Sequence, residues 1–149
     1  ALKYADLSTD RIKDYVFDWD RMLAFEGNTG PYLQYAHARI CSIFRRATIE
    51  RSAVRDAPIV LGHAAEKALA MRIMGYPSAI DNTLDSYSPH KLCTYVYELA
   101  SDFSSFYQEC PILKSDEPMR TSRLALADLT ARVLEHSLGL LGIVAPEEM

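Results

Sequence analysis

No apolar run in this 149-residue chain approaches the ~20 residues that a membrane-spanning helix needs, and the first residues lack the basic-then-apolar pattern of a secretory signal. These absences point to the cytoplasm and argue against a membrane partner. Cysteine is scarce: Cys41, Cys93 and Cys110 are odd in number and widely spaced, a poor disulfide framework that suits a reducing compartment. A surplus of positive charge is also missing. With a formal net charge of −4, the chain cannot grip nucleic acid over its whole surface through phosphate contacts, so any such site must be local. Alternating apolar and polar residues of the kind a half-buried strand shows are almost absent, as are repeats and low-complexity stretches.

Signatures of catalysis are missing too. There is no phosphate-cradling Gly-rich loop, no Gly-x-Ser-x-Gly elbow and no His-Glu-x-x-His pair. His90 and Cys93 are spaced to share a helix face, and His63 and Cys110 would complete a four-ligand set, but ligands scattered over separate segments read as buried thiols and surface or capping histidines. His37 and Cys41, one helical turn apart, read the same way rather than as a nucleophile and its base. No catalytic residue, metal ligand or cofactor is therefore expected within these residues. The chain opens at Ala1 without an initiator Met and runs directly into structured-looking sequence, which suggests a piece of a longer protein.

What is present is a helical pattern. Hydrophobic content of 49% with 24% charged residues is enough for one domain with a real core. The stretch to about Glu26 mixes short apolar clusters with Asp and Lys and reads as a connecting region with one or two short helices. Gly27 to Gly30 form a turn, and Pro31 stands at a first helical position, where its missing N–H does no harm. The helix from Pro31 to about Arg51, laid out at roughly 100° per residue, places Leu33, Ala36, Ile40, Ile43, Phe44 and Ala47 on one arc. A neighbouring arc carries Tyr32, Tyr35, Arg39, Ser42 and Arg46.

Asp56 is placed to cap a helix from Ala57 to about Met74, ended by Gly75, with a short helix from Pro77 to about Tyr87 after it. Ser88 and Pro89 open a long helix with Leu92, Tyr95, Val96, Leu99, Phe103, Phe106 and Tyr107 at three-and-four spacing, stopped at Cys110-Pro111. The last helix runs from about Pro118 to Leu141. Leu126, Leu129, Val133 and Leu140 are expected inward, and Asp128, Arg132 and Glu135 outward, with Gly142 as the stop. Short loops between these segments predict an all-α, antiparallel helical bundle.

Nine tyrosines are many for this length, and most sit on apolar stripes where core packing is the ordinary role. Tyr32 and Tyr35 differ, because they lie off the apolar arc and in line with Arg39 and Arg46. Five arginines fall between Arg39 and Arg55 against the single Glu50, in a chain that is acidic as a whole. Aromatic faces beside guanidinium groups suit an unstacked RNA base and its phosphate. Arg45, Arg51 and Arg55 read more simply as a solvated basic face. The competing reading is a helical interaction module whose Tyr/Arg face meets a protein, since both residue types also anchor protein interfaces.

The run Gly27-Asn-Thr-Gly-Pro-Tyr-Leu-Gln-Tyr-Ala-His-Ala-Arg39 closely resembles the start of the anticodon-binding domain of arginyl-tRNA synthetases. The likeness continues in order. Lys3-Tyr4-Ala5-Asp6-Leu7 and Tyr15-Val16-Phe17-Asp18 resemble the segment leading out of that family's catalytic domain. The pattern from Leu92 to Leu113 is similar to its central helix and exit, and Arg123-Leu124, Leu138 to Ile143 and Pro146 to Met149 to its C-terminal end. One departure stands out: the Asp-Ala-Leu-Arg signature reads here Ala127-Asp128-Leu129-Thr130-Ala131-Arg132, so Asp128 and Arg132 are expected to do no more than pair at i,i+4.

The resemblance implies residues 1–26 as a connector from a catalytic domain, packed on the bundle, and residues 27–149 as the anticodon-binding domain. It implies a monomer whose partners are the catalytic domain of the same chain and the anticodon arm of an arginine tRNA. The parent ligase would attach arginine using ATP and Mg²⁺. The His-Ile-Gly-His and Lys-Met-Ser-Lys-Ser types of sequence that bind ATP in such enzymes are absent here, so this part should not be catalytic alone. Tyr32, Tyr35, Ala38 and Arg39 match the family's helix that faces the anticodon loop, and Tyr107 and Met149 match positions that approach its bases. Stacking falls to the three tyrosines, and phosphate neutralisation to Arg39 and Arg46.

Overall fold

A computed structural model describes all of residues 1–149, and every regular element in it is helical. The chain opens with α1 (Leu2–Ser8), in which Tyr4 is wholly buried against the long helix of the bundle. Its hydroxyl donates to Asn28 Oδ1 at 2.5 Å with the Cys93 carbonyl at 3.1 Å, while Lys3 Nζ donates to the Gly142 carbonyl at 2.7 Å. The first helix is thus tied to both the turn before α3 and the end of the last helix. After a non-helical stretch, Asp18 caps the short α2 (Trp19–Leu23) by accepting from Arg21 N.

Helix α3 (Gly30–Ala47) is capped by Thr29, whose hydroxyl oxygen accepts from Tyr32 N and whose O–H donates to the Ala24 carbonyl at 2.6 Å. Gly30 has a packing reason: a Cβ there would lie 3.1 Å from Tyr4 Cβ. The helix stops at Ala47, four residues before the expected Arg51. Thr48 turns left-handed (φ 55°), and Ile49 N–H reaches back to the Phe44 carbonyl, closing the end in the manner of a Schellman cap. This lets Ile49 pack on the core, and a 3₁₀ turn (Arg51–Val54) then buries Val54.

The next helix starts later than its sequence suggests. Asp56 caps nothing; α4 spans Ala64–Met74, with His63 as N-cap. The intervening segment is held by long-range bonds instead: Val60 N donates to Ser122 Oγ, and Ser122 Oγ donates to the Val60 carbonyl. Gly75 does not adopt a left-handed turn (φ −74°), and the chain passes straight into α5 (Tyr76–Ser86).

Helix α6 (Pro89–Glu109) runs through the centre, and Leu92, Tyr95, Val96, Leu99, Phe103 and Phe106 are all buried as its spacing predicts. Ser88 precedes it without capping it through its side chain. Burial of each large apolar side chain on this stripe contributes about 1.5–3 kcal/mol. Helix α7 (Met119–Leu140) closes the bundle against α3, α4 and α6, and Gly142 (φ 66°) ends it with Ile143 N–H bonded to the Leu138 carbonyl. Two expectations on α7 fail. Leu140 is exposed, because the core side of the last turn is filled by Leu138 and Leu141. Asp128 is buried, only 2% exposed, because Arg51 reaches in from the 3₁₀ turn and its Nε donates to Asp128 Oδ1 at 2.8 Å. The i,i+4 partner Arg132 stands farther off, at 3.8 Å. Arg51 therefore belongs to a structural ion pair rather than to a solvated face.

Candidate nucleic-acid interface

Helix α3 carries three stripes. Leu33, Ala36, Ile40, Ile43 and Phe44 are buried in the bundle. On a second stripe, at spacings of three and eight, Gln34 Nε2 donates to the Val144 carbonyl, His37 Nδ1 to the Pro146 carbonyl at 2.9 Å, and Arg45 to the Glu147 carbonyl. Arg45 also pairs with Glu148. The C-terminal segment is thus strapped along α3, with Met149 exposed beyond it. The polar residues of this stripe were visible in the sequence. Their partners lie about a hundred positions away and were not.

The third stripe holds the expected site. Arg39 is the centre of it: its guanidinium carbon lies 4.5 Å from the Tyr107 ring centroid and 5.9 Å from that of Tyr35. Both are cation–π distances. Tyr107, on α6, is stacked against Phe103 beneath it (centroids 6.1 Å apart, planes at 28°), so a core aromatic fixes its orientation. Tyr35 is 41% exposed. Residues 72 positions or fewer apart in sequence, from two helices, therefore form one aromatic and cationic face. Arg46 continues it as an exposed cation about two turns along the helix.

Two of the expected residues are placed otherwise. Tyr32 is half-buried, with its hydroxyl 3.3 Å from Ser104 Oγ and its ring tilted against Tyr97 at 5.9 Å. Those contacts use the surfaces a stacked base would need, so Tyr32 supports the α3–α6 contact rather than standing free. Ala38 is 6% exposed and lies within the stripe crossed by the C-terminal strap, so its methyl group is not offered to a partner. The cysteines carry no chemistry of the nucleophilic kind. Burial pushes the Cys41 thiol up even though Arg51 opposes it, and burial pushes Cys93 up to about 12, so both stay protonated at neutral pH.

The fold and this face together define a helical-bundle domain of the anticodon-binding type. The family described as the DALR anticodon binding domain matches residues 33–149, and the chain belongs to that family. Along its whole length it is 54% identical to the arginine–tRNA ligase of Frankia casuarinae, of which it covers 25%, and 50% identical to that of Mannheimia succiniciproducens, of which it covers 26%. The chain spans about a quarter of the length of these relatives. Among solved structures, it superposes on the arginyl-tRNA synthetase of Thermus thermophilus with a TM-score of 0.90 at 34% identity, and on that of Plasmodium falciparum with a TM-score of 0.90 at 35% identity. Each superposition covers 99% of this chain and 26% of the other. The relatives match from the first residue, whereas the family match begins at Leu33, within α3.

Proposed function

We propose that this chain recognises the anticodon stem and loop of an arginine tRNA, as the RNA-binding part of a ligase that joins arginine to that tRNA. The observation that carries the reading is Arg39 held between the rings of Tyr35 and Tyr107. One base can lie on Tyr35 and a second on the outer face of the Arg39 guanidinium that Tyr107 backs. The faces of Tyr107 itself are taken by Arg39 and Phe103, and the guanidinium supplies the cation for the phosphate between the bases. Arg46 adds a second phosphate contact, the exposed Met149 ends the strap that pairs with Arg45, and Tyr32 holds α3 against α6. The ATP- and Mg²⁺-dependent chemistry belongs, in this reading, to the larger part of such a ligase outside this chain.

The test is binding of a synthetic arginine anticodon hairpin. Each stacked base is worth about 1–3 kcal/mol, so the double variant Tyr35→Ala/Tyr107→Ala is expected to bind at least about 30-fold more weakly. Because Tyr107 also rests on Phe103, its melting transition is measured alongside. A hairpin with a non-arginine anticodon should bind more weakly than the cognate one, and affinity should fall linearly on a log–log plot as salt rises. Unchanged affinity in a folded double variant would remove the site, and insensitivity to salt would favour a protein partner.

A further inference from the structure

We infer that residues 144–149 form a strap that opens and closes over α3 while the bundle stays folded, with His37 as its latch, and that closure withholds Arg45 from RNA. The last clause rests on the reading of the Arg39 face just given; the strap itself does not. Its root is fixed, because Ile143 N–H closes the end of α7 on the Leu138 carbonyl. Beyond that point little apolar surface is buried. Val144 is 77% and Met149 60% exposed, and only Ala145 and Pro146 are half-covered. A segment held by a few polar bonds opens locally at far lower cost than the whole fold.

Those bonds are unequal. The ones from Gln34 and Arg45 are open to water, and the Arg45–Glu148 pair is exposed on both sides at 3.5 Å, so each competes with solvent. The His37 ring is instead 1% exposed, and its Nδ1 donates to the Pro146 carbonyl at 2.9 Å. Its other neighbours offer Nδ1 no substitute: Cys41 Sγ is 3.9 Å away, and the Glu135 carboxylate lies 4.0 Å from Nε2, at the opposite nitrogen. Shielded from solvent, the bond to Pro146 contributes more than either exposed one, which makes His37 the latch.

Closure covers two groups. Arg45 Nη1 donates to the Glu147 carbonyl at 2.9 Å and its Nε faces Glu148, so the closed strap occupies this cation while the adjacent Arg46 stays exposed. Opening carries Glu147 and Glu148 away and leaves two free arginines side by side. Cys41 is 6% exposed, with Sγ against the His37 ring. Burial is the main influence that raises its thiol; Arg51 and Arg45 oppose it, and Glu147 on the strap adds to it. Opening removes the burial and Glu147 and keeps the arginines, so Cys41 becomes both accessible and more acidic.

The experiment follows labelling of the native protein by an aromatic disulfide reagent at neutral pH, with labelled residues identified by peptide mass. Cys93 and Cys110 are both 0% exposed in the core and report global unfolding. His37→Ala, and His37→Gln, which keeps most of the bulk but places its amide nitrogen where Nε2 stood, are expected to label Cys41 at least about tenfold faster than the unaltered chain, with Cys93 and Cys110 untouched. His37→Asn, whose amide nitrogen takes the place of Nδ1, should restore slow labelling. In the same variants the arginine hairpin is titrated over a salt series. The log–log slope for His37→Gln should steepen by about 0.7–0.9, the signature of one added phosphate contact. Cys41 labelling that is no faster in both Ala and Gln variants, that proceeds together with Cys93 and Cys110 in both, or that His37→Asn fails to slow overturns the strap. An unchanged salt slope beside fast Cys41 labelling overturns the gating of Arg45. Absence of hairpin binding by the unaltered chain removes the RNA reading and that gating with it, while the strap stands or falls on the labelling.

Discussion

Replacing Glu66 by Gln tests how the second half of the bundle is held. The Glu66 carboxylate is 1% exposed. One oxygen accepts from Gly62 N at 2.8 Å and His63 N at 2.7 Å, and the other accepts from Arg123 Nε at 2.7 Å. Arg123 in turn donates to the Pro111 carbonyl and Ser115 Oγ. The segment before α4, the loop after α6 and helix α7 therefore converge on one charge. Glutamine has the same shape but only one acceptor oxygen, so its NH₂ group must face either two backbone donors or a guanidinium. Losing at least one charge-assisted bond and leaving a buried donor against a donor costs about 2–4 kcal/mol. For a chain of this size that lowers the melting temperature by about 6–12 °C, read by circular dichroism at neutral pH.

Acid should narrow the gap between the two proteins. The largest single influence on the Glu66 pKa is burial, which raises it, but the bonds from His63, Arg123 and Gly62 together outweigh burial and hold it below the ordinary glutamate range. A carboxyl depressed in the folded state stabilises the fold at every pH above its unfolded value and loses that contribution as pH falls through the folded one. The unaltered chain is therefore expected to lose stability more steeply than Glu66→Gln below the ordinary glutamate pKa. Melting temperatures within about 2 °C of each other at neutral pH, with parallel curves in acid, would refute this account.

Other outcomes follow from contacts of the same kind. Arg51→Ala leaves Asp128 buried with only the more distant Arg132, and because Arg51 is a quarter exposed the expected cost is about 2–3 kcal/mol in urea denaturation, partly recovered by adding Asp128→Asn. Tyr4→Phe removes the donor to Asn28 and should cost about 1–2 kcal/mol, read as a shift in the same transition. Cys41, Cys93 and Cys110 are all buried with thiols pushed up by that burial, so a thiol reagent at neutral pH should label none in the native chain and three after denaturation. Rapid labelling of any one of them would show a thiolate that these surroundings do not produce.

Much of the molecule was readable before any coordinates. The stripe from Leu92 to Phe106, Pro31 in the first turn of α3 and Gly142 after α7 are local signals, and each acts through φ/ψ preference or helical spacing alone. The Tyr35 and Arg39 stripe was legible for the same reason: spacing on one helix decides which side chains share a face. Spacing could not say how deep a boundary residue sits. Tyr32 and Tyr35 look alike on the helix, yet only Tyr35 is free, because Ser104 and Tyr97 from α6 take up Tyr32.

By itself, then, the sequence determined an all-helical bundle, its family and the helix that bears the candidate site, because those follow from periodicity and from motifs in order. Tertiary structure alone decided where α3 ends and α4 begins, why Asp128 is inside, and how the C-terminal segment lies on α3. The start of α4, the burial of Asp128 and the course of the C-terminal segment depend on bonds between residues 57 to 110 positions apart, such as Arg123 with Glu66 and Gln34 with Val144. Helix α3 ends where Ile49 and Val54 turn back onto the core. Local preference favoured a longer α3 and an earlier α4 by tenths of a kcal/mol per residue, and a buried, charge-assisted contact outweighs that.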